Sequence, residues 1–128
     1  MFGACPAFSG FSVDDVQVAL HFYRDTLGLS ASVNEMGILE IALATGGRVI
    51  AYPKGDAHVA ASFTVLNFPV DDIDAAVTEL TAAGIELTRY EGTNQDEKGI
   101  ARGKAAGRGP DIAWFTDPSG NILSVLST

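Results

Sequence analysis

The sequence predicts an α+β protein built from two βαβββ modules, and three observations carry that prediction. The segment FSVDDVQVALHFY, starting at Phe11, recurs as FPVDDIDAAVTEL, starting at Phe68. Phe11, Val13, Asp14 and Asp15 return as Phe68, Val70, Asp71 and Asp72, with Val16 matched by Ile73. Each copy passes from a strand pattern into a helical one, and short strand-like stretches follow it. At 128 residues the chain has the length of a single domain. Such a chain buries roughly two-thirds of its unfolded surface and stands without staples.

The elements follow in order. Residues 6–13 read as the opening strand. Asp15 is the expected N-cap of the first helix, where its carboxylate accepts orphan amide hydrogens and meets the positive end of the helix dipole. Val16, Leu20, Tyr23 and Leu27 then fall on one helical face, and Gly28 supplies the left-handed stop. Strands are expected at 30–33 and 38–43, then at 48–52 beyond the hairpin-type turn at Gly46 and Gly47. The second module repeats the plan with a strand at 62–68, Asp72 as N-cap, and Ile73, Ala76, Val77 and Leu80 on the buried helix face. Gly84 ends this helix, and strands at 85–90, 111–116 and 121–127 complete the module. In DPSGNILSVL, beginning at Asp117, the Asp-Pro-Ser-Gly turn precedes an alternating strand in which Ser124 is the polar exception. The halves differ by one long segment, EGTNQDEKGIARGKAAGRGP at 91–110, which reads as a flap because strands follow it.

Composition narrows the function. Hydrophobic residues make up 47% and charged residues 19%, a globular balance, and the net charge is −8. That charge argues against nucleic acid and against an anionic membrane surface, which both call for clustered Lys and Arg. No apolar run reaches the ~20 residues of a membrane helix, and residues 1–10 lack the pattern of a signal peptide. The single cysteine, Cys5, suits a reducing compartment, so the cytoplasm is the expected location.

The Asp–helix–Phe-Tyr-x-x-x-Leu-Gly-Leu opening in FSVDDVQVALHFYRDTLGL, its echo in FPVDDIDAAVTELTAAGIEL, and the terminal DPSGN resemble the vicinal oxygen chelate superfamily. That group includes glyoxalase I, extradiol dioxygenases, fosfomycin-resistance enzymes and bleomycin-binding proteins. The resemblance covers essentially the whole chain, as one domain with modules at about 6–54 and 60–128. It implies curved mixed sheets around a crevice. It also implies metal ligands, His on opening strands and Glu on closing ones, at the positions of Phe8, Val65, Ser124 and either Ala51 or Tyr52. None of these is a usual ligand for a divalent ion, so neither metal nor cofactor is expected. His21 and His58 match no ligand spacing, and Glu40 alone makes no metal site.

With Phe8, Val65 and Ser124 facing the crevice that the resemblance implies, strand alternation adds Phe63, Asn67 and Trp114, and Tyr52 comes at the first module's edge. The expected lining is therefore Phe8, Tyr52, Phe63, Val65 and Trp114, with Asn67 and Ser124 as sparse polar contacts. An apolar pocket with few polar groups suits a hydrophobic or aromatic small molecule. The resemblance implies a binding protein like the family's antibiotic-sequestering members, working as a homodimer. The alternative is a glyoxalase- or dioxygenase-like lyase or oxidoreductase with a non-standard or absent metal site. There Asp96, Glu97 and Lys98 of the flap, with Tyr52 and Tyr90, are the candidate acid/base groups.

Overall fold

The computed structural model describes all of residues 1–128. It divides the chain into two compact units, residues 1–60 and 61–128, and each holds one four-stranded mixed sheet.

In the first unit, β1 (Ser9–Val13) leads through the Asp15 cap into α1 (Val16–Leu20). Asp15 Oδ1 accepts from the backbone N–H groups of Gln17 and Val18 at 2.9 and 3.2 Å. The helix then widens into a π-turn over His21–Thr26, closed by Leu27 N–H donating to the Phe22 carbonyl at 2.9 Å. The wider turn lets two adjacent residues, Phe22 and Tyr23, both turn into the core. A regular helix would bury Leu20 and Leu27 with Tyr23, the face read from the sequence. Instead Ala19, Phe22 and Tyr23 are buried while Val16, Leu20 and Leu27 are half-buried. The rings of Phe11 and Phe22 flank Tyr23 at 6.0 and 5.2 Å. Strands β2 (Ser30–Val33), β3 (Leu39–Ala42) and β4 (Arg48–Pro53) complete the sheet in the order β1-β4-β3-β2, with β1 parallel to β4. Phe11, Val13, Leu39, Ile41, Val49 and Ala51 form the face packed beneath α1.

The second unit repeats the plan with β5 (Thr64–Pro69) and α2 (Ile73–Ala82), capped by Asp72 accepting from Ala75 N–H at 3.1 Å. Ile73, Val77 and Leu80 are its buried face. Strands β6 (Ala101–Arg102), β7 (Asp111–Thr116) and β8 (Ile122–Ser127) give the order β5-β8-β7-β6. Gly28 and Gly84 have φ of 76° and 83°, the left-handed stops that end the two helical segments.

Two local expectations change here. No strand forms at 85–90, where a single bridge joins Thr88 to Trp114. The side chain of Gln95 takes the backbone groups a ladder would use, accepting from Tyr90 N–H at 2.8 Å and donating to the Thr88 carbonyl at 2.9 Å. The sheet recruits its fourth strand, β6, from within 91–110. That segment is tied down rather than trailing as a simple loop. Arg102 forms a two-pronged pair with Asp74 of α2 at 2.8 and 3.1 Å and donates to Asp96 at 3.0 Å, while Lys98 reaches Asp74 at 3.0 Å.

Candidate functional site

Register places the predicted site residues on sheet faces. In the first unit Phe11, Val13, Val49 and Ala51 point under the helix, so their neighbours Gly10, Ser12, Ile50 and Tyr52 occupy the opposite, helix-distal face. Tyr52 is partly exposed there, opposite Ser12. Phe8, just before β1, is 51% exposed, and the Arg48 guanidinium lies 4.2 Å over its ring. Arg48 also pairs with Glu40, whose other oxygen accepts from Asn34 at 3.3 Å. Glu40 is therefore a partnered strand residue. His58 is not a plain surface histidine: it is half-buried, and its Nδ1 lies 2.8 Å from Ser12 Oγ. Sequence reasoning missed this contact because 46 residues separate the two. His21, by contrast, is exposed and pairs with Asp25 at 2.7 Å.

In the second unit Ala113, Phe115, Leu123 and Val125 are buried on the α2 side, which puts Trp114 and Ser124 on the helix-distal face. Asn67 pairs with Ser124, Ser124 with Trp114, and Trp114 bridges to Thr88, so these residues make one row across the sheet. Ser124 has no exposed surface, and its hydroxyl donates to Asn67 Oδ1 at 2.6 Å. Asn67 itself is exposed. Tyr90 meets Trp114 edge-to-face with ring centroids 5.5 Å apart. A register shift between Thr64 and Leu66 leaves Val65 as the extra residue of a bulge. The simple alternation expected for Phe63, Val65 and Asn67 is therefore broken, and Phe63 lies before β5, 67% exposed.

The turn ahead of β8 explains DPSGN. Asp117 Oδ1 accepts from the N–H groups of Ser119 and Asn121, both at 2.9 Å, and Asn121 Nδ2 returns to Asp117 Oδ2 at 3.0 Å. Asn121 Oδ1 then accepts from Ala61 N–H at 3.0 Å, fixing the approach to β5.

The duplication corrects one position. Phe11 corresponds to Phe68, so Gly10 corresponds to Asn67. Gly10 pairs with Ile50 where Asn67 pairs with Ser124. The first-module counterpart of Ser124 is therefore Ile50, rather than Ala51 or Tyr52. Phe8, Val65 and Ile50 offer a cation no donor atom, and the Ser124 hydroxyl is engaged with Asn67. This set does not fit a divalent metal, and no group of three or more His, Cys, Asp or Glu side chains is placed to hold one elsewhere.

Two of the candidate acid/base groups, Asp96 and Lys98, are structurally engaged. Asp96 Oδ1 accepts from Lys98 N–H and Ile100 N–H, both at 2.9 Å. Burial works to raise the Asp96 carboxyl, but the hydrogen bonds from Ile100 and Arg102 outweigh it and hold it below the usual range. The hydrogen bonds from Arg102 and Lys98 hold Asp74 low as well. A groove of about 850 Å³ runs along α2, lined among others by Val77, Thr81, Ile85, Arg89 and Lys98. Its cations are committed: Arg89 donates to the Asp96 and Glu97 carbonyls at 2.8 and 2.7 Å, and Lys98 to Asp74.

A profile of the Glyoxalase/Bleomycin resistance protein/Dioxygenase superfamily matches residues 8–125. The chain belongs to that superfamily. Among solved structures, a superfamily member from Sphaerobacter thermophilus is similar with a TM-score of 0.71 and 22% identity over 100% of both chains. TnmS3, an antibiotic binding protein from Streptomyces sp. CB03234, has a TM-score of 0.65 and 20% identity over 94% of this chain and 92% of its own. A glyoxalase/dioxygenase from Nostoc punctiforme has a TM-score of 0.64 and 17% identity over 94% of this chain and 88% of its own. At these identities the likeness concerns the fold. No curated protein matches the chain in sequence. No helix is long and apolar enough to cross a membrane.

Proposed function

We propose that this protein binds a hydrophobic or aromatic small molecule without a metal ion, on the helix-distal faces of its sheets. One observation carries the reading: the positions where metal-using relatives place ligands hold Phe8, Ile50, Val65 and a Ser124 already bonded to Asn67. The first sheet adds the rings of Phe8 and Tyr52, and the second the ring of Trp114, which Tyr90 meets edge-to-face. Rings with a few polar groups suit capture of a flat apolar molecule. The antibiotic-binding neighbour makes an antibiotic a reasonable ligand class, and the net charge of −8 favours a neutral or cationic one.

Isothermal titration against planar antibiotics tests the reading. Saturable binding by metal-free protein supports it, and no heat from any member of the panel counts against it. A homodimer in the cytoplasm is the proposed setting. Light scattering that returns the monomer mass removes the dimer.

A further inference from the structure

The geometry points to a ligand that is neutral, flat and equipped with a carbonyl-type acceptor, reaching from the Trp114 ring across Ser124 to the Asn67 amide. This inference rests on the binding reading above and adds the chemistry that the second sheet reads. Ser124 Oγ donates to Asn67 Oδ1, so the amide oxygen is occupied and the amide is oriented. The Asn67 Nδ2 group, a double donor, belongs to an exposed residue and has no acceptor of its own in the structure. A fully buried hydroxyl that fixes an exposed amide spares the ligand the entropy of ordering that side chain.

Register supplies the second half of the site. Trp114 follows Ser124 in the same row. Its backbone carbonyl accepts from Thr88 N–H at 2.7 Å, and Tyr90 abuts its ring. The indole is thus a braced platform two strands from a fixed donor, with Ser124 between them. A flat ring on Trp114 with an exocyclic oxygen directed at Asn67 satisfies both groups. Carboxylate ligands are disfavoured by the net charge of −8. The first sheet has no such donor, since Gly10 and Ile50 stand at the corresponding positions.

The test compares coumarin, which carries a carbonyl, with naphthalene, a two-ring hydrocarbon of similar size without an acceptor. Trp114 is the only tryptophan, so its indole N–H resonance reports binding without ambiguity. Coumarin is expected to bind roughly tenfold more tightly, the order of one net hydrogen bond. Asn67→Asp, which replaces the donor with an acceptor, is expected to erase that preference, so that coumarin and naphthalene bind the variant equally. Ser124→Ala frees the amide to rotate, and a smaller loss of preference is expected. Equal affinity of the unaltered protein for both compounds overturns the donor assignment while leaving the aromatic site standing. No indole shift with either compound overturns the site itself.

Discussion

One scaffold, duplicated, carries Gly10 beside Ile50 in its first copy and Asn67 beside Ser124 in its second. The caps, strand pairings and helix stops are shared, so the difference lies in the chemistry each sheet offers on its helix-distal face. The first face combines an aliphatic centre with an Arg48-on-Phe8 stack and a Ser12–His58 contact. The second presents an oriented amide in one row with Trp114, Ser124 between them.

The sharpest break in that comparison removes the shared core. Phe115→Ala in the second unit is expected to cost about 3–5 kcal/mol and Ile41→Ala in the first about 2–5 kcal/mol, read by urea unfolding. Next comes transplanting one face onto the other. Asn67→Gly with Ser124→Ile recreates the first module's pair in the second, with overpacking at the buried position of about 1–3 kcal/mol. The double variant is expected to lose the preference for coumarin over naphthalene while retaining a folded spectrum.

The two caps offer a finer contrast. Asp15 receives two amide hydrogens and Asp72 one, so Asp15→Ala is expected to be the more harmful, each costing about 1 kcal/mol by thermal melting. The smallest effect is acid sensitivity. Hydrogen bonds from Arg24 and His21 lower the Asp25 carboxyl to about 2, and Asp74 is also held low by Arg102 and Lys98. Groups lowered on folding contribute fully above the unfolded value, about 3.9, and lose that contribution as pH falls through the folded one. Stability is thus expected to decline below about pH 4. Hydrogen exchange at residues 96–102 should rise there first if the Asp74–Arg102 pair holds that segment.

Much of the fold was legible because its determinants are local. Asp15 and Asp72 announce helix starts, Gly28 and Gly84 announce ends, and DPSGN encodes its own hydrogen-bonded turn. The π-turn at His21–Thr26 was not legible, because one shifted backbone hydrogen bond leaves no periodic trace. The strand expected at 85–90 failed since Gln95, five residues beyond Tyr90, captures its backbone groups. The Val65 bulge and the Ser12–His58 contact arise from pairing between distant segments. For the candidate site, alternation turned Trp114 away from the helix, towards the face where the family resemblance put Ser124. The Ile50 counterpart emerged only from comparing the registers of the two parallel strand pairs.

The proposed capture of an aromatic molecule needs no metal. Its most direct test is titration with 1-aminoanthracene, a fluorescent three-ring probe, before and after exhaustive treatment with a chelator. The expected result is saturable binding with the same affinity in both samples. Binding that vanishes on chelation and returns with an added divalent ion would contradict it.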